Sequence, residues 1–221
     1  MKDFGGYNLS KYSTIVFDMD GTLYFQNSLR LRMLLSLGAF YMCHPGRFRE
    51  VLYIRMHRKL REDERFANDP EADLHIAEEV AEKYHTTPEK VRNVIDTWMI
   101  QKPQSAIRKS RDKYIIGFLN SMKNHGKKIY IYSDYPAELK CEALDIVPDK
   151  IYFPDGNRIQ LLKPDPEGLK FILSENQLDS SEVLYIGDRD EKDGEVARKC
   201  NVDVIILPHN AVSRGHMYRK M

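Results

Sequence analysis

Cysteine is scarce and scattered: Cys43, Cys141 and Cys200 are far apart and odd in number. No Cys-x-x-Cys or Cys/His zinc spacing occurs, which sets aside a disulfide framework and a zinc site and leaves three reduced packing residues of a cytosolic protein. The seven histidines form no ligand pair at helical spacing. Charge of one sign is also missing. Lys plus Arg number 34 against 33 Asp plus Glu, so no global field draws the chain to nucleic acid or a membrane surface. Met1 to Tyr12 lacks the apolar segment of a signal peptide. The most apolar stretch, Leu29 to Cys43, is interrupted by Arg30 and Arg32 and is too short to span a bilayer. No internal repeat or low-complexity segment stands out. With 221 residues, 42% of them hydrophobic, the chain can bury a core as one domain or as one domain carrying an insertion.

What is present is a pattern that occurs three times. Ile15-Val16-Phe17 is a buried-strand run cut off by Asp18-Met19-Asp20-Gly21-Thr22. Lys128 to Tyr132 is a second run and ends on Ser133-Asp134; Val183 to Ile186 is a third and ends on Gly187-Asp188. In a parallel sheet those polar groups would gather along one edge, where open α/β sheets bind ligands. Taken alone, Asp20-Gly21 is equally a hairpin signal. A calcium loop starting at Asp18 fits worse, because its Gly comes too early and Leu29 fills the closing position.

Between the first two strands the sequence is helical. Leu29 to Met42 forms a helix ending near His44-Pro45-Gly46, and Phe48, Val51, Leu52, Met56 and Leu60 keep the period in the next. Asp69 with Pro70 caps and opens a helix over Ala72 to Tyr84, and Thr87 with Pro88 does so for Val91 to Ile100. Gln101 to Gln104 reads as a linker, and Ala106 to Asn124 as one helix closed by His125-Gly126. Thr22 to Lys128 is over three times the roughly 30 residues of a βαβ crossover. The last helix is therefore the crossover, and the helices before it are an insertion seated above the carboxyl edge of the sheet. Beyond the second strand come a helix over Pro136 to Leu144, an edge strand over Lys150 to Phe153 and a turn at Asp155-Gly156-Asn157. Lys163 is held extended before Pro164, and Asp165-Pro166 opens a helix carrying Leu169, Ile172 and Leu173. Asp193-Gly194 starts a helix to Cys200, and Val202 to Leu207 is the last strand. Ser213-Arg214-Gly215-His216 reads as part of a basic tail.

Asp18-Met19-Asp20-Gly21-Thr22, Ser133, Lys163-Pro164 and the run from Gly187-Asp188 through Asp193, in this order, resemble the haloacid dehalogenase-like hydrolase superfamily. The resemblance is to a phosphatase branch with a helical cap inserted after the first strand. It implies an α/β fold: a Rossmann-like three-layer parallel sheet core, residues 1–25 and 103–221, with an inserted all-α cap domain, residues 26–102. It also implies an Mg²⁺-dependent phosphomonoester hydrolase acting through an aspartyl-phosphate. Asp18 would be the nucleophile, and Asp20 the acid that protonates the leaving oxygen and the base that activates water. Asp20 also separates phosphatases from the dehalogenases of the superfamily, where that position is not acidic. Asp18, the Asp20 carbonyl and Asp188 would hold Mg²⁺, with Asp193 orienting them from behind. Ser133, Asp134 and Lys163 would form the phosphate-binding set, with Ser133 and the N–H groups after it gripping the phosphoryl oxygens.

Each residue also has a plainer reading: Asp20 or Asp188 as a turn residue, Asp193 as a helix N-cap, Lys163 as a solvated lysine. Two positions depart from the family pattern. Asp134 stands where many relatives carry Asn, and Arg189 where the residue is often small, while Asp190 competes with Asp193 for the supporting role. A phosphosugar mutase and a non-catalytic module that kept the fold remain as alternatives. The arginines and lysine of the second insertion segment (Arg47, Arg49, Arg55, Arg58, Lys59, Arg61 and Arg65) read as a solvated face, with binding of a second substrate anion as the minority alternative. The expected partner is a small phosphomonoester, with neither nucleic acid nor membrane, in a cytoplasmic monomer or weak homodimer.

Overall fold

The computed structural model describes residue 4 and residues 6–61, 63–66, 69 and 71–219. The chain divides into two compact units, Met1–Ser28 with Ile107–Met221, and Leu29–Ala106.

Among the described residues the first unit is built on five parallel strands: β1 Thr14–Phe17, β2 Lys128–Tyr132, β3 Lys150–Tyr152, β4 Val183–Gly187 and β5 Asp203–Ile206, in the order β3-β2-β1-β4-β5. Parallel pairing excludes the hairpin reading of Asp20-Gly21. β1, β2 and β4 are β-branched and aromatic runs buried on both faces, as a covered parallel sheet requires. Alternate residues feed alternate layers. Val16, Tyr130, Tyr132 and Tyr185 pack with Leu169, Ile172 and Val196 on one side. On the other, Phe17 meets Phe118 edge-on at 6.4 Å between ring centroids.

The helices, in chain order, are α1 Gln26–Cys43, α2 Glu50–Arg61, α3 Ala72–Tyr84, α4 Pro88–Ile95, α5 Lys102–Ser110, α6 Lys113–Asn124, α7 Glu138–Leu144, α8 Glu167–Glu175, α9 Glu195–Lys199 and α10 Ala211–Tyr218. Helices thus lie on both faces of the sheet, giving the three-layer α/β core expected from the sequence. Most of α1, then α2 to α4 and the start of α5, make up the second unit, with its own core around Tyr41, Tyr53, Ile76, Val80, Val91 and Trp98. No helix among the described residues is long and apolar enough to cross a membrane.

Several local expectations fail for physical reasons. The segment Gln101–Gln104 is helical, because a π-helical turn over Asp96–Gln101 runs on into α5. Pro103 stands directly after that π-helical turn, inside the continuous helix, and contributes no N–H to it. The expected single helix from Ala106 to Asn124 is broken at Arg111-Asp112, where the Asp112 carboxylate accepts the N–H groups of Tyr114 and Ile115 and starts α6 afresh. In α2 the buried face is Glu50, Tyr53, His57 and Leu60, while Phe48 and Leu52 are exposed. The apolar residues alone mislead there because a buried carboxylate, bonded to Tyr41 and Arg47, takes a core position. Asp69 does not cap α3; its carboxylate accepts the Glu71 N–H, and Pro70 lies outside the described residues. Thr87 does cap α4, accepting the Lys90 N–H. Cys141 and Cys200 are buried, as packing residues are, but Cys43 is exposed.

Candidate active site

The register of the three central strands places the site. Phe17 on β1 pairs with Ile131 on β2 and Ile186 on β4, so all three strands give out at one edge. Asp18 stands one residue beyond that pairing and Ser133 and Asp188 two, and all three are buried. β1 is also where strand order turns, with β2 on one side and β4 on the other, the position at which open sheets form a ligand crevice.

Lys163, 2% exposed, enters this edge from the loop before α8. Its Nζ donates to Asp18 Oδ1 at 2.6 Å and to Asp193 Oδ1 at 2.7 Å. It is therefore neither a solvated lysine nor alone. Burial lowers its pKa, but Asp18, Tyr185, Asp193 and Asp134 outweigh that and hold the ammonium well above the ordinary lysine value. Burial raises Asp18; Lys163 pulls it down and Asp193 pushes it up again, with a raised carboxyl as the net result. Asp188 is raised by the same burial and by Asp193, against His209 and Arg189. Thr22 Oγ1 donates to Asp18 Oδ2 at 2.8 Å, fixing the carboxylate from the far end of the loop.

Asp18, Asp188 and Asp193 each offer an oxygen within 4.8 Å of the others. Lys163 pairs with two of them, and Asp188 Oδ1 is buried with no hydrogen-bond partner among the described residues. Three carboxylates against one ammonium leave uncompensated negative charge in a poorly solvated place. An all-oxygen donor set with an orphaned oxygen fits a hard divalent cation such as Mg²⁺. Gly21 makes this cluster possible: its φ is +101°, and a Cβ there would collide with the Asp188 carboxylate. Gly187 does the same for Asp193.

Asp193 does not cap α9; Gly194 stands there without a side-chain bond. Its Oδ2 instead accepts the N–H groups of Asp188 and Arg189 at 3.2 and 3.1 Å, holding the loop after β4. Asp190 is exposed and paired with Arg198 at 2.8 Å, so it does not compete. Asp134 Oδ1 accepts the Lys163 N–H at 3.1 Å and Oδ2 takes Lys192 Nζ at 3.0 Å, with Arg189 3.6 Å away. Its extra negative charge is thereby matched by two cations. Ser133 Oγ accepts the Tyr135 N–H at 3.2 Å, opening the loop toward α7.

Asp20 lies at the rim, mostly buried, and the structure surrounds it with residues the sequence did not single out. Lys140 from α7 donates to both its oxygens, and the Tyr24 hydroxyl donates to Oδ1. Burial, then the charge of Asp20, pushes the Tyr24 phenol up, so it remains a donor at neutral pH. His209 Nδ1 sits 3.1 Å from Asp188 Oδ2. Tyr24 was visible four residues past Asp20; Lys140 and His209 carried no spacing signal, since tertiary folding alone brings them in.

The fold and this edge together define an α/β protein with an acidic site at the strand ends. The sequence matches the haloacid dehalogenase-like hydrolase family over residues 12–201, and the chain belongs to that family. No protein of curated function matches it. Among solved structures it is similar to a 2-haloacid dehalogenase from Pseudomonas syringae, with TM-score 0.66 and 11% identity over 89% of this chain and 86% of that one. It is similar to the putative HAD-hydrolase YfnB from Bacillus subtilis, bound to magnesium, with TM-score 0.56 and 14% identity over 89% and 88%. A predicted phosphoglycolate phosphatase from Haemophilus somnus gives TM-score 0.54 and 14% identity over 92% and 88%. At these identities the likeness is one of fold, spanning both dehalogenases and phosphatases.

Proposed function

We propose that this hydrolase is an Mg²⁺-dependent phosphomonoesterase that acts on a small phosphorylated metabolite. What carries the proposal is Asp20: a second carboxylate two residues after Asp18, at the rim of the site, held by Lys140 and Tyr24. Dehalogenation has no use for an acid there, whereas loss of an alkoxide from phosphorus needs one.

Asp18, Asp188 and the Asp20 carbonyl would hold Mg²⁺, which when bound offsets the repulsion between a carboxylate and a phosphate dianion. Asp18 attacks phosphorus, forming the Asp18–phosphoryl bond as the ester P–O bond breaks, and the leaving oxygen takes its proton from Asp20. Water then attacks the same phosphorus, gives its proton to Asp20, and the bond to Asp18 breaks. Lys163 balances charge on the phosphoryl oxygens and Ser133 donates to them. Asp193 supports Asp188, and Asp134 holds the Lys163 loop. To the helical unit, residues 29–106, we assign the choice of substrate.

The test is hydrolysis of p-nitrophenyl phosphate beside halide release from 2-chloropropionate. Phosphate release that chelator abolishes and Mg²⁺ restores supports the proposal. Halide release without phosphatase activity, or full phosphatase activity in excess chelator, overturns it.

A further inference from the structure

The segment that reads as a basic tail is the helix α10, and it places Arg214 beneath the catalytic loop. Arg214 is fully buried, an expensive location for a guanidinium unless its donors find partners. Each of its three nitrogens reaches a backbone carbonyl. Nη1 donates to the Thr22 carbonyl at 2.9 Å, Nη2 to the Gly21 carbonyl, and Nε to the Pro208 carbonyl at 2.6 Å. Its counter-ion is Asp112, whose Oδ2 lies 3.0 Å from Nη1 and accepts the Tyr218 hydroxyl at 2.7 Å. The Phe25 ring lies against the guanidinium at 4.9 Å. Helix α10 lies outside the family-matched residues 12–201.

The two carbonyls it grips belong to the residues that set the site. Gly21 is where the chain passes against the Asp188 carboxylate, and Thr22 holds Asp18. The Asp112 N–H also bonds the Leu23 carbonyl, so the loop is gripped at three successive carbonyls. We propose that Arg214 is a positioning residue: a planar fork from the C-terminal helix that fixes the Gly21 and Thr22 carbonyls and thereby the spacing of Asp18, the Asp20 carbonyl and Asp188. A lysine in its place carries its donors on a single nitrogen and cannot span the Gly21, Thr22 and Pro208 carbonyls as the three guanidinium nitrogens do. The kinetic part of this inference rests on the phosphatase proposal above; the structural part does not.

The test compares Arg214→Lys with Tyr218→Phe. The second variant loosens the same helix on Asp112 without touching the loop carbonyls. Three readouts are taken where both variants are folded: kcat and KM on p-nitrophenyl phosphate, Mn²⁺ affinity by electron paramagnetic resonance, and amide exchange at Leu23, whose N–H bonds the Met19 carbonyl across the loop. Arg214→Lys should lose on the order of 10–100-fold in metal affinity, as for other residues that orient ligands from behind. Its kcat should fall with KM little changed, and Leu23 should exchange faster. Tyr218→Phe should keep all three values within about twofold while melting earlier, an interaction lost outside the site. Equal losses in both variants, or an Arg214→Lys enzyme that melts earlier with wild-type kcat, metal affinity and exchange, would overturn the inference. If the wild type hydrolyses no phosphomonoester, the proposed function fails, and Leu23 exchange and Mn²⁺ affinity still decide on Arg214. If Arg214→Lys does not fold, Arg214→Gln, which keeps one donor group, replaces it under the same criteria.

Discussion

Lys140 Nζ lies 2.7 Å from each carboxylate oxygen of Asp20, a symmetrical grip delivered from α7 to the rim of the site. Lys140 and Asp20 are both mostly buried, so this pair is less screened than a surface ion pair. It fixes where the acid points before substrate arrives.

Lys140→Met should therefore lower kcat through orientation of Asp20. The expected loss is about 10-fold to 10²-fold, a part of the 10²–10⁴ that acid–base assistance supplies. It should be larger on an alkyl phosphate, whose poor leaving group needs the proton, than on p-nitrophenyl phosphate. Lys140→Arg should recover part of it. Steady-state kinetics on both esters check this, and equal losses on the two would separate Lys140 from Asp20.

Gly21→Ala tests the close approach between the loop and Asp188. A left-handed φ costs an alanine about 1–2 kcal/mol, and its Cβ would also displace the Asp188 carboxylate. The variant should unfold at lower urea and bind divalent cations at least about tenfold more weakly, as expected when ligand orientation is lost. Urea unfolding and metal titration on one preparation measure both. Normal metal affinity would show that Asp188 is not held by this contact.

Much of the site was legible because its residues follow strands. Asp18, Ser133 and Asp188 sit at the ends of apolar runs, and pairing of neighbouring strands in register converts that into proximity. The local failures share a cause, which is that side chains bond to partners far away in sequence. Asp193 reads as a helix cap from its neighbours, yet its carboxylate is taken by Lys163 and the loop after β4. Arg214 reads as tail because α10 is short and weakly apolar, and what buries it is Asp112, a hundred residues earlier. Lys140 stands on α7 with nothing in the sequence to mark it, and only the fold brings it to Asp20.

The cysteines should differ in reactivity. Cys43 is exposed; Cys141 is buried and its thiol is pushed up to about 12 by burial, and burial raises Cys200 too. Ellman's reagent should titrate one thiol quickly in the native protein and all three in guanidinium. Peptide mapping should place the fast label on Cys43. Fast native labelling of Cys141 would mean that α7, and with it Lys140, is less tightly packed than its burial implies.

The division of labour between Asp18 and Asp20 gives the most demanding expectation. Asp18→Asn should leave no turnover, since an amide neither attacks phosphorus well nor offers an anionic ligand. Asp20→Asn should differ between the two half-reactions. Protonating the leaving oxygen matters little when that group is nitrophenolate, so transfer to Asp18 should remain fast. Activating water against the Asp18 phosphoryl group has no such bypass, and loss of general-base assistance is worth about 10²–10⁴-fold. Asp20→Asn should therefore release a burst of nitrophenol near one equivalent per site and then almost stop, with the phosphoryl group trapped on Asp18. Rapid mixing beside intact-protein mass spectrometry reads both. A slow, burst-free reaction without an adduct would remove Asp20 from the second step. An adduct mapped to any other residue would overturn Asp18 as the nucleophile, and with it the meaning of the 2.6 Å contact from Lys163 and the 2.8 Å contact from Thr22 that hold its carboxylate in place.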